Sequence, residues 1–352
     1  MKRSAAYFLC ITIILLCNSL LHGQSIVNNV RPASFSKDTS KINKMLLQGF
    51  NFAVNGHTDK AMPIALSAQM LSKKAGYLHG ICKGMNLQSY TLIRKGNYDS
   101  ALVILKKALV IGKALKDSSL QSSCMLYLAN AYSSKGDHTT AIGYYFKGLS
   151  AEEKLRSPTN LHFYLNGIGV LLTTQKNYSK GLEYLLRAKE VAERTNNLKY
   201  YSTIYNNIGW RYMLVGKNDS AYYFLDLAVK ASEQSKNLYA LTFPLHNLGE
   251  LFVTLKRYDK AYQYTIESYE ISKAQGFKDR MVANLITLGD IDLRQNKFES
   301  TENYLKQGLA LSQQIQAKVH IKDVSLLLSN LYEKQELYKN AYSFYELFTT
   351  TK

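Results

Sequence analysis

Small residues recur in this chain every 40 positions, and that register restricts its fold more than any other feature. Written in rows of 40, one column reads Ala61, Ala101, Ala141, Gly181, Ala221, Ala261, Thr301 and Ala341. Twelve residues earlier a second reads Gly49, Ser89, Ala129, Gly169, Gly209, Gly249, Gly289 and Ser329. A third, seven after the first, reads Ala68, Ala108, Gly148, Ala188, Ala228, Ser268 and Gly308, then breaks at Phe348. Where two helices cross closely, a large side chain would hold the backbones apart. Small residues in two registered columns therefore imply two helices, A and B, meeting in every row. Eight rows without an insertion mean one repeated unit, not unrelated globular domains. With 46% hydrophobic residues and only 4 Pro, the chain can bury a core and is not a Pro-rich or disordered array.

Each row carries turn chemistry between its helices, as in Lys95-Gly96-Asn97-Tyr98-Asp99, Val215-Gly216-Lys217-Asn218-Asp219 and Lys256-Arg257-Tyr258-Asp259. Glycine permits the left-handed turn that ends helix A. Asp59, Asp99, Thr139, Ser179, Asp219, Asp259 and Glu299 then stand at the start of helix B, placed to cap free amides or meet the positive dipole end. Tyr98, Tyr178, Tyr258, Phe298 and Tyr338 fall just before helix B, so most of the 27 Tyr are expected to pack the elbows. Pro32 lies before the repeats, Pro158 between rows and Pro244 near the start of a helix A; Pro63, inside the first helix B, predicts a kinked or late-starting first pair.

The first residues read as an export signal. Lys2 and Arg3 precede the apolar stretch Ala5 to Leu16, which is shorter than the roughly 20 residues of a spanning helix and is ended by Asn18, Ser19, His22 and Gln24. Residues 1–23 are expected to be a signal peptide cut after Gly23 or Ser19, with a linker over 24–38 and repeats over 39–352. Retention as an N-terminal membrane anchor is the alternative; no membrane span follows in the mature part. The protein is therefore expected in the periplasm or secreted. Cys10 and Cys17 belong to the signal, which leaves Cys82 and Cys124 as buried thiols or as a pair in an oxidising compartment. The net charge of +18 suits an acidic partner or anionic surface, and its dispersal along the chain without a basic tract argues against nucleic acid.

The segment Gly96-Asn97-Tyr98-Asp99-Ser100-Ala101, with its small-residue columns, resembles the tetratricopeptide repeat. The resemblance covers about residues 40 to 350 in a 40-residue variety. It implies an all-α, right-handed superhelical solenoid of about eight antiparallel helix pairs, with elbows near 56, 96, 136, 176, 216, 256, 296 and 336. The residues beyond the common length are expected in helix B and its connection. The longer form is similar to the repeats of kinesin light chains and of bacterial peptide-sensing regulators. The whole layout resembles the periplasmic sensory region of Bacteroidetes-type signalling regulators, so the chain is either a fragment of such a receptor or a stand-alone scaffold. By this resemblance a concave groove is lined by Lys83, Asn86, Tyr90, Asn130, Asn166, Asn206, Trp210, His246 and Glu250, where asparagine amides can meet an extended peptide backbone. Trp210, the one tryptophan, would anchor a ligand. The competing reading has the asparagines satisfying helix ends and Trp210 filling a gap between repeats. A carboxylate clamp needs paired basic groups, and only Lys83 is in place.

No His-Glu-x-x-His, phosphate loop, Cys-x-x-Cys or Gly-x-Ser-x-Gly segment occurs, so no enzyme and no cofactor or metal is expected. Glu152 and Glu153, or Glu190 and Glu193, read as a solvated face of helix B. The last helix carries Tyr342, Tyr345, Leu347 and Phe348, a predicted contact surface for a partner or another copy, because solenoid ends need covering. The expected function is an exported module that binds a peptide or protein in signal sensing; the alternative is a self-associating periplasmic scaffold.

Overall fold

The computed structural model describes residues 37–155, 158–195 and 198–351. The expected signal peptide, Pro32, Cys10, Cys17 and nearly all of the linker lie outside them. The described chain is all helical and divides into two compact units at Gln175/Lys176. The first holds α1 (Lys37–Val54), α2 (Thr58–Lys74), α3 (Leu78–Arg94), α4 (Tyr98–Ala114), α5 (Ser118–Lys135), α6 (His138–Glu153) and α7 (Leu161–Thr174). The second holds α8 (Tyr178–Thr195), α9 (Leu198–Leu214), α10 (Asn218–Gln234), α11 (Leu238–Thr254), α12 (Tyr258–Gln275), α13 (Lys278–Arg294), α14 (Phe298–Gln314), α15 (Lys318–Lys334) and α16 (Tyr338–Thr350). Odd-numbered helices are the A helices of the 40-residue rows and even-numbered ones the B helices.

The helices follow one another at half the repeat length, because the same turn closes almost every one. A left-handed residue recurs at Gly56, Gly76, Gly96, Lys116 and Gly136, and again at Gly216, Lys236, Lys256, Gly276, Asn296, Gln316 and Glu336. The next amide reaches back five residues to a helix carbonyl, as from Asn97 to Leu92 at 2.9 Å or from Arg257 to Phe252 at 2.9 Å. This is the Schellman closure. It corrects the expected distribution of length: α3 and α4 have 17 residues each, as do α9, α10 and α11, so the extra residues are shared between A and B. α2 starts at Thr58 in step with its siblings despite Pro63, so the late start expected there is absent.

Capping follows a different set of residues from the one expected. Asp59, Asp99, Asp219, Asp259 and Glu299 lie in the first turns of B helices, near the positive dipole end, but the side chains that cap amides among the described residues are Asp117, Asp137 and Asn237. The aromatics Tyr98, Tyr258, Phe298 and Tyr338 are the first residues of their B helices, and Tyr338 is exposed.

The small columns are buried where helices cross. Ala61, Ala101, Ala141, Ala221, Ala261 and Thr301 have no exposed surface. A Cβ added to Gly209 would stand 2.7 Å from Leu225, and one on Gly289 2.6 Å from Leu305, so A and B helices of one pair meet at that position with no room to spare. Twelve residues separate the partners of a recurring stacked aromatic pair that joins the end of an A helix to the following B helix: Tyr132 on Tyr144, Tyr212 on Phe224, Phe252 on Tyr264 and Tyr332 on Phe344, with centroids 5.5–5.6 Å apart. Among the described residues no helix is long and apolar enough to cross a membrane.

Candidate functional site

Each unit offers one surface suited to a ligand. In the first, α1 packs on α3, α3 on α5 and α5 on α7; in the second, α9 packs on α11, α11 on α13 and α13 on α15. B helices pack on their A neighbours and, among the described residues, do not approach one another to that extent. Closer spacing along the A helices makes their outward side the inner face of each unit.

On the first unit's A helices Lys83 is exposed, while Tyr90, Asn130 and Asn166 are half-buried. Asn86 is closed off from solvent and accepts the Cys124 thiol at 3.3 Å. The carbonyl end of Asn130 accepts the hydroxyl of Tyr145 at 2.6 Å. Burial pushes that phenol's pKa well up, so it stays a neutral donor and fixes the amide's orientation. Tyr90 meets Tyr127 edge-on at 6.0 Å.

The second unit carries a more connected set. Asn247 donates to the Asn206 carbonyl oxygen at 2.8 Å. The Asn284 amide donates to Ser268 at 2.9 Å, and the Ser268 hydroxyl donates to the Thr242 carbonyl at 2.9 Å. That chain turns the Asn284 oxygen toward His246, 3.1 Å from Nδ1. The other ring nitrogen, Nε2, faces Glu250 at 3.5 Å. Burial pushes the Glu250 carboxyl upward, but the His246 contact and the Arg280 charge outweigh it and hold the pKa below its ordinary value. Arg280 lies over the Phe243 ring at 4.1 Å, and Trp210 is half-buried. The structure thus joins His246 and Glu250 directly and ties Asn206 to Asn247.

Asn247, Asn284 and Arg280 did not figure among the sequence candidates. Asn284 could have been found, since after Lys44 in the first row its column reads Gly84, Cys124, Tyr164, Ile204, Pro244 and Val324, and a lone amide among these mostly apolar residues marks a built polar contact. The solvated-face reading of Glu152 is overturned: it has no exposed surface. It accepts from Ser122 at 2.5 Å, from the Asn160 backbone amide at 2.9 Å and from the Asn160 side chain at 2.9 Å. Burial there is tolerable because three donors replace the water it loses. Cys82 and Cys124 are free thiols, buried, with sulfurs 3.7 Å apart. On α16, Tyr342 and Tyr345 are exposed and Leu347 and Phe348 half-buried, with Lys322 over the Phe348 ring at 5.3 Å. Among the described residues no three metal-capable side chains gather.

Residues 125–159 match the tetratricopeptide repeat family model. Solved structures with the same fold include a Rap protein complexed with Competence and Sporulation Factor, at TM-score 0.64 and 12% identity over 89% of this chain and 97% of that one. NprR in complex with its cognate peptide NprX aligns at TM-score 0.53 and 17% identity over 75% of this chain and 76% of that one. Aspartyl phosphate phosphatase F from Bacillus subtilis aligns at TM-score 0.54 and 11% identity over 92% and 96%. No curated protein matches the sequence. The chain thus carries a tetratricopeptide repeat at residues 125–159 and shares the helical-repeat fold of these structures, with antiparallel helix pairs following one another within each unit.

Proposed function

We propose that this protein is an exported interaction module that grips an extended peptide or a partner's segment on the inner face of its A helices, as the sensing part of a signalling system. The observation that carries the reading is the oriented polar set of the second unit. Its Asn206–Asn247 and His246–Asn284 contacts leave donors and acceptors fixed beside Glu250 and the half-buried ring of Trp210. A peptide backbone needs donors and acceptors of that kind in alternation, and an aromatic wall supplies the apolar contact that makes binding worth its ordering cost. Lys83, Tyr90, Asn130 and Asn166 present the corresponding surface of the first unit. Rap and NprR are both solved with a peptide or factor bound, which supports a peptide as ligand class. The excess of basic residues favours an acidic one. Pull-down of partners from the compartment, repeated with Trp210→Ala and Asn206→Ala, tests the proposal: partners should be lost, and an unchanged set rejects the inner face as the binding site. N-terminal sequencing of the cellular protein tests export; a chain beginning at Met1 in the cytoplasm counts against it.

The non-enzymatic reading belongs to the same proposal, since binding alone accounts for the polar set. Absence of low-salt association with nucleic acid is expected, and a steep salt dependence of such binding would overturn that expectation. A second reading, self-association as a scaffold, is favoured by the exposed aromatics of α16, with Tyr338, Tyr342 and Tyr345 each at least half exposed. Tyr342→Ser with Tyr345→Ser should then convert an oligomer to a monomer in light scattering; a wild-type monomer ends that reading.

A further inference from the structure

Cys82 on α3 and Cys124 on α5 belong to neighbouring A helices of the first unit. They are non-equivalent in the 40-residue register, so nothing about the repeat itself requires them to meet. Yet their sulfurs lie 3.7 Å apart, inside a cluster of Ile81, Met85, Ala108, Ile111 and Leu120. Each thiol is already aimed: Cys82 toward the Ala108 carbonyl at 3.4 Å and Cys124 toward the Asn86 oxygen at 3.3 Å. A disulfide needs its sulfurs at about 2.05 Å, a change that small rotations about χ1 can supply when the two side chains already point at one another. Among the described residues no third metal-capable side chain joins them, so the pair is a dithiol and not a metal site.

We propose that Cys82 and Cys124 are an oxidation site that closes to a disulfide linking α3 to α5, stapling the second helix pair to the third. The chemistry balances through a small-molecule disulfide such as oxidised glutathione. One cysteine thiolate attacks it, forming a mixed disulfide and releasing one glutathione thiolate. The second cysteine then attacks the protein sulfur of that adduct, forming the protein S–S bond and releasing the second thiolate. Two cysteine thiols are oxidised and one glutathione disulfide is reduced to two thiols, with the two protons passing to them. The cluster's two thiols have no exposed surface on which a glutathione adduct could sit, which drives the second step, and the hydrogen bond with the Cys82 sulfur, then burial, raises the Cys124 thiol well above its usual range, so attack begins from an opened or still-folding chain. The bond closes a long loop and restricts the unfolded chain accordingly. It also removes the thiol proton that Asn86 accepts, next to exposed Lys83. The pairing holds whatever the inner face binds.

The test uses the full chain carrying Cys10→Ser and Cys17→Ser, unfolded in urea with reductant and refolded in mixed oxidised and reduced glutathione. Both remaining thiols should become unreactive to alkylation in denaturant, the mass should fall by two hydrogens, and a non-reducing peptide map should join the peptides of Cys82 and Cys124. The urea midpoint should be higher for the oxidised than for the reduced form of this one sequence, and Cys82→Ala should abolish the difference. If Cys82→Ala does not fold, the oxidised and reduced comparison still decides. Two alkylatable thiols after refolding, glutathione adducts, or links between molecules would overturn the proposal.

Discussion

Gly148 shows how little tolerance a single position leaves. A Cβ there would collide with the ring of Tyr164, which has no exposed surface and whose hydroxyl donates to the Ser122 carbonyl at 2.5 Å. Neither partner can yield cheaply, so Gly148→Ala should destabilise the first unit by about 2 kcal/mol, read as a lower urea midpoint. The left-handed turn residues argue the opposite way. Lys236 holds φ at 53°, a conformation that costs an L side chain roughly 1 kcal/mol and glycine almost nothing. Lys236→Gly should therefore stabilise by up to about 1 kcal/mol, and a lower melting temperature would contradict the account. His162 makes stability depend on pH. Burial drives its pKa down to about 4, against an upward pull from Glu152. The unfolded chain, with an ordinary histidine near pH 6.5, binds more protons over the interval between these values. Stability from the neutral imidazole is thus whole above about pH 6.5 and is lost as pH falls toward 4. Urea midpoints at pH 7 and pH 5 should differ more for wild type than for His162→Leu.

At the scale of helices, the columns of small residues made the A and B pairing legible before any coordinate, because helix crossings select for size and size is written in the sequence. The turn spacing was hidden, since the left-handed position is filled variously by Gly, Lys, Asn, Gln and Glu, and only the backbone angle unites them. The aromatic stacks were readable in principle: after Ile64 and Ile104 the column reads Tyr144, Tyr184, Phe224, Tyr264, Tyr304 and Phe344, aromatic in every later row. Of the candidate inner-face residues, His246 and Glu250 stand one helical turn apart in the sequence, but nothing in the sequence shows that Asn86 turns toward Cys124, because inward and outward tilts of one helical position share a register. Glu152 illustrates the same limit. Its column elsewhere among the described residues reads Ser72, Gly112, Ala192, Ser232, Ser272 and Ser312, so it replaces a small residue near the end of α6, just before the connection to α7. The Ser202–Ser232 contact at 2.5 Å fills the equivalent place in the second unit. Glu152→Ala should leave the Asn160 amide and Ser122 without their acceptor and cost on the order of 2–3 kcal/mol, with hydrogen exchange rising first at the start of α7. Uniform exchange across the unit would show that the carboxylate does not hold that connection.

For the whole molecule the dominant electrostatic fact is an excess of positive charge, 44 Lys and Arg against 26 Asp and Glu. Many of the ion pairs that relieve it are local, between residues four apart on one exposed helix face, such as Lys230 with Asp226 and Lys306 with Glu302. Pairs of that kind contribute little, and adding salt removes little when it screens them. The repulsion among the remaining cations is the larger effect in dilute buffer, because compaction brings them within a Debye length of about 10 Å or more. Raising NaCl from about 10 to 200 mM should therefore increase the melting temperature by a few degrees. A fall over the same range would mean that the specific ion pairs outweigh the net charge. The same imbalance governs encounter with a ligand. An acidic peptide should associate more slowly as salt rises while its dissociation rate stays nearly constant, because steering acts on approach and the short-range contacts of the inner face act on release. Salt-insensitive association would leave the amides and Trp210 as the basis of recognition and exclude the charge surplus from it.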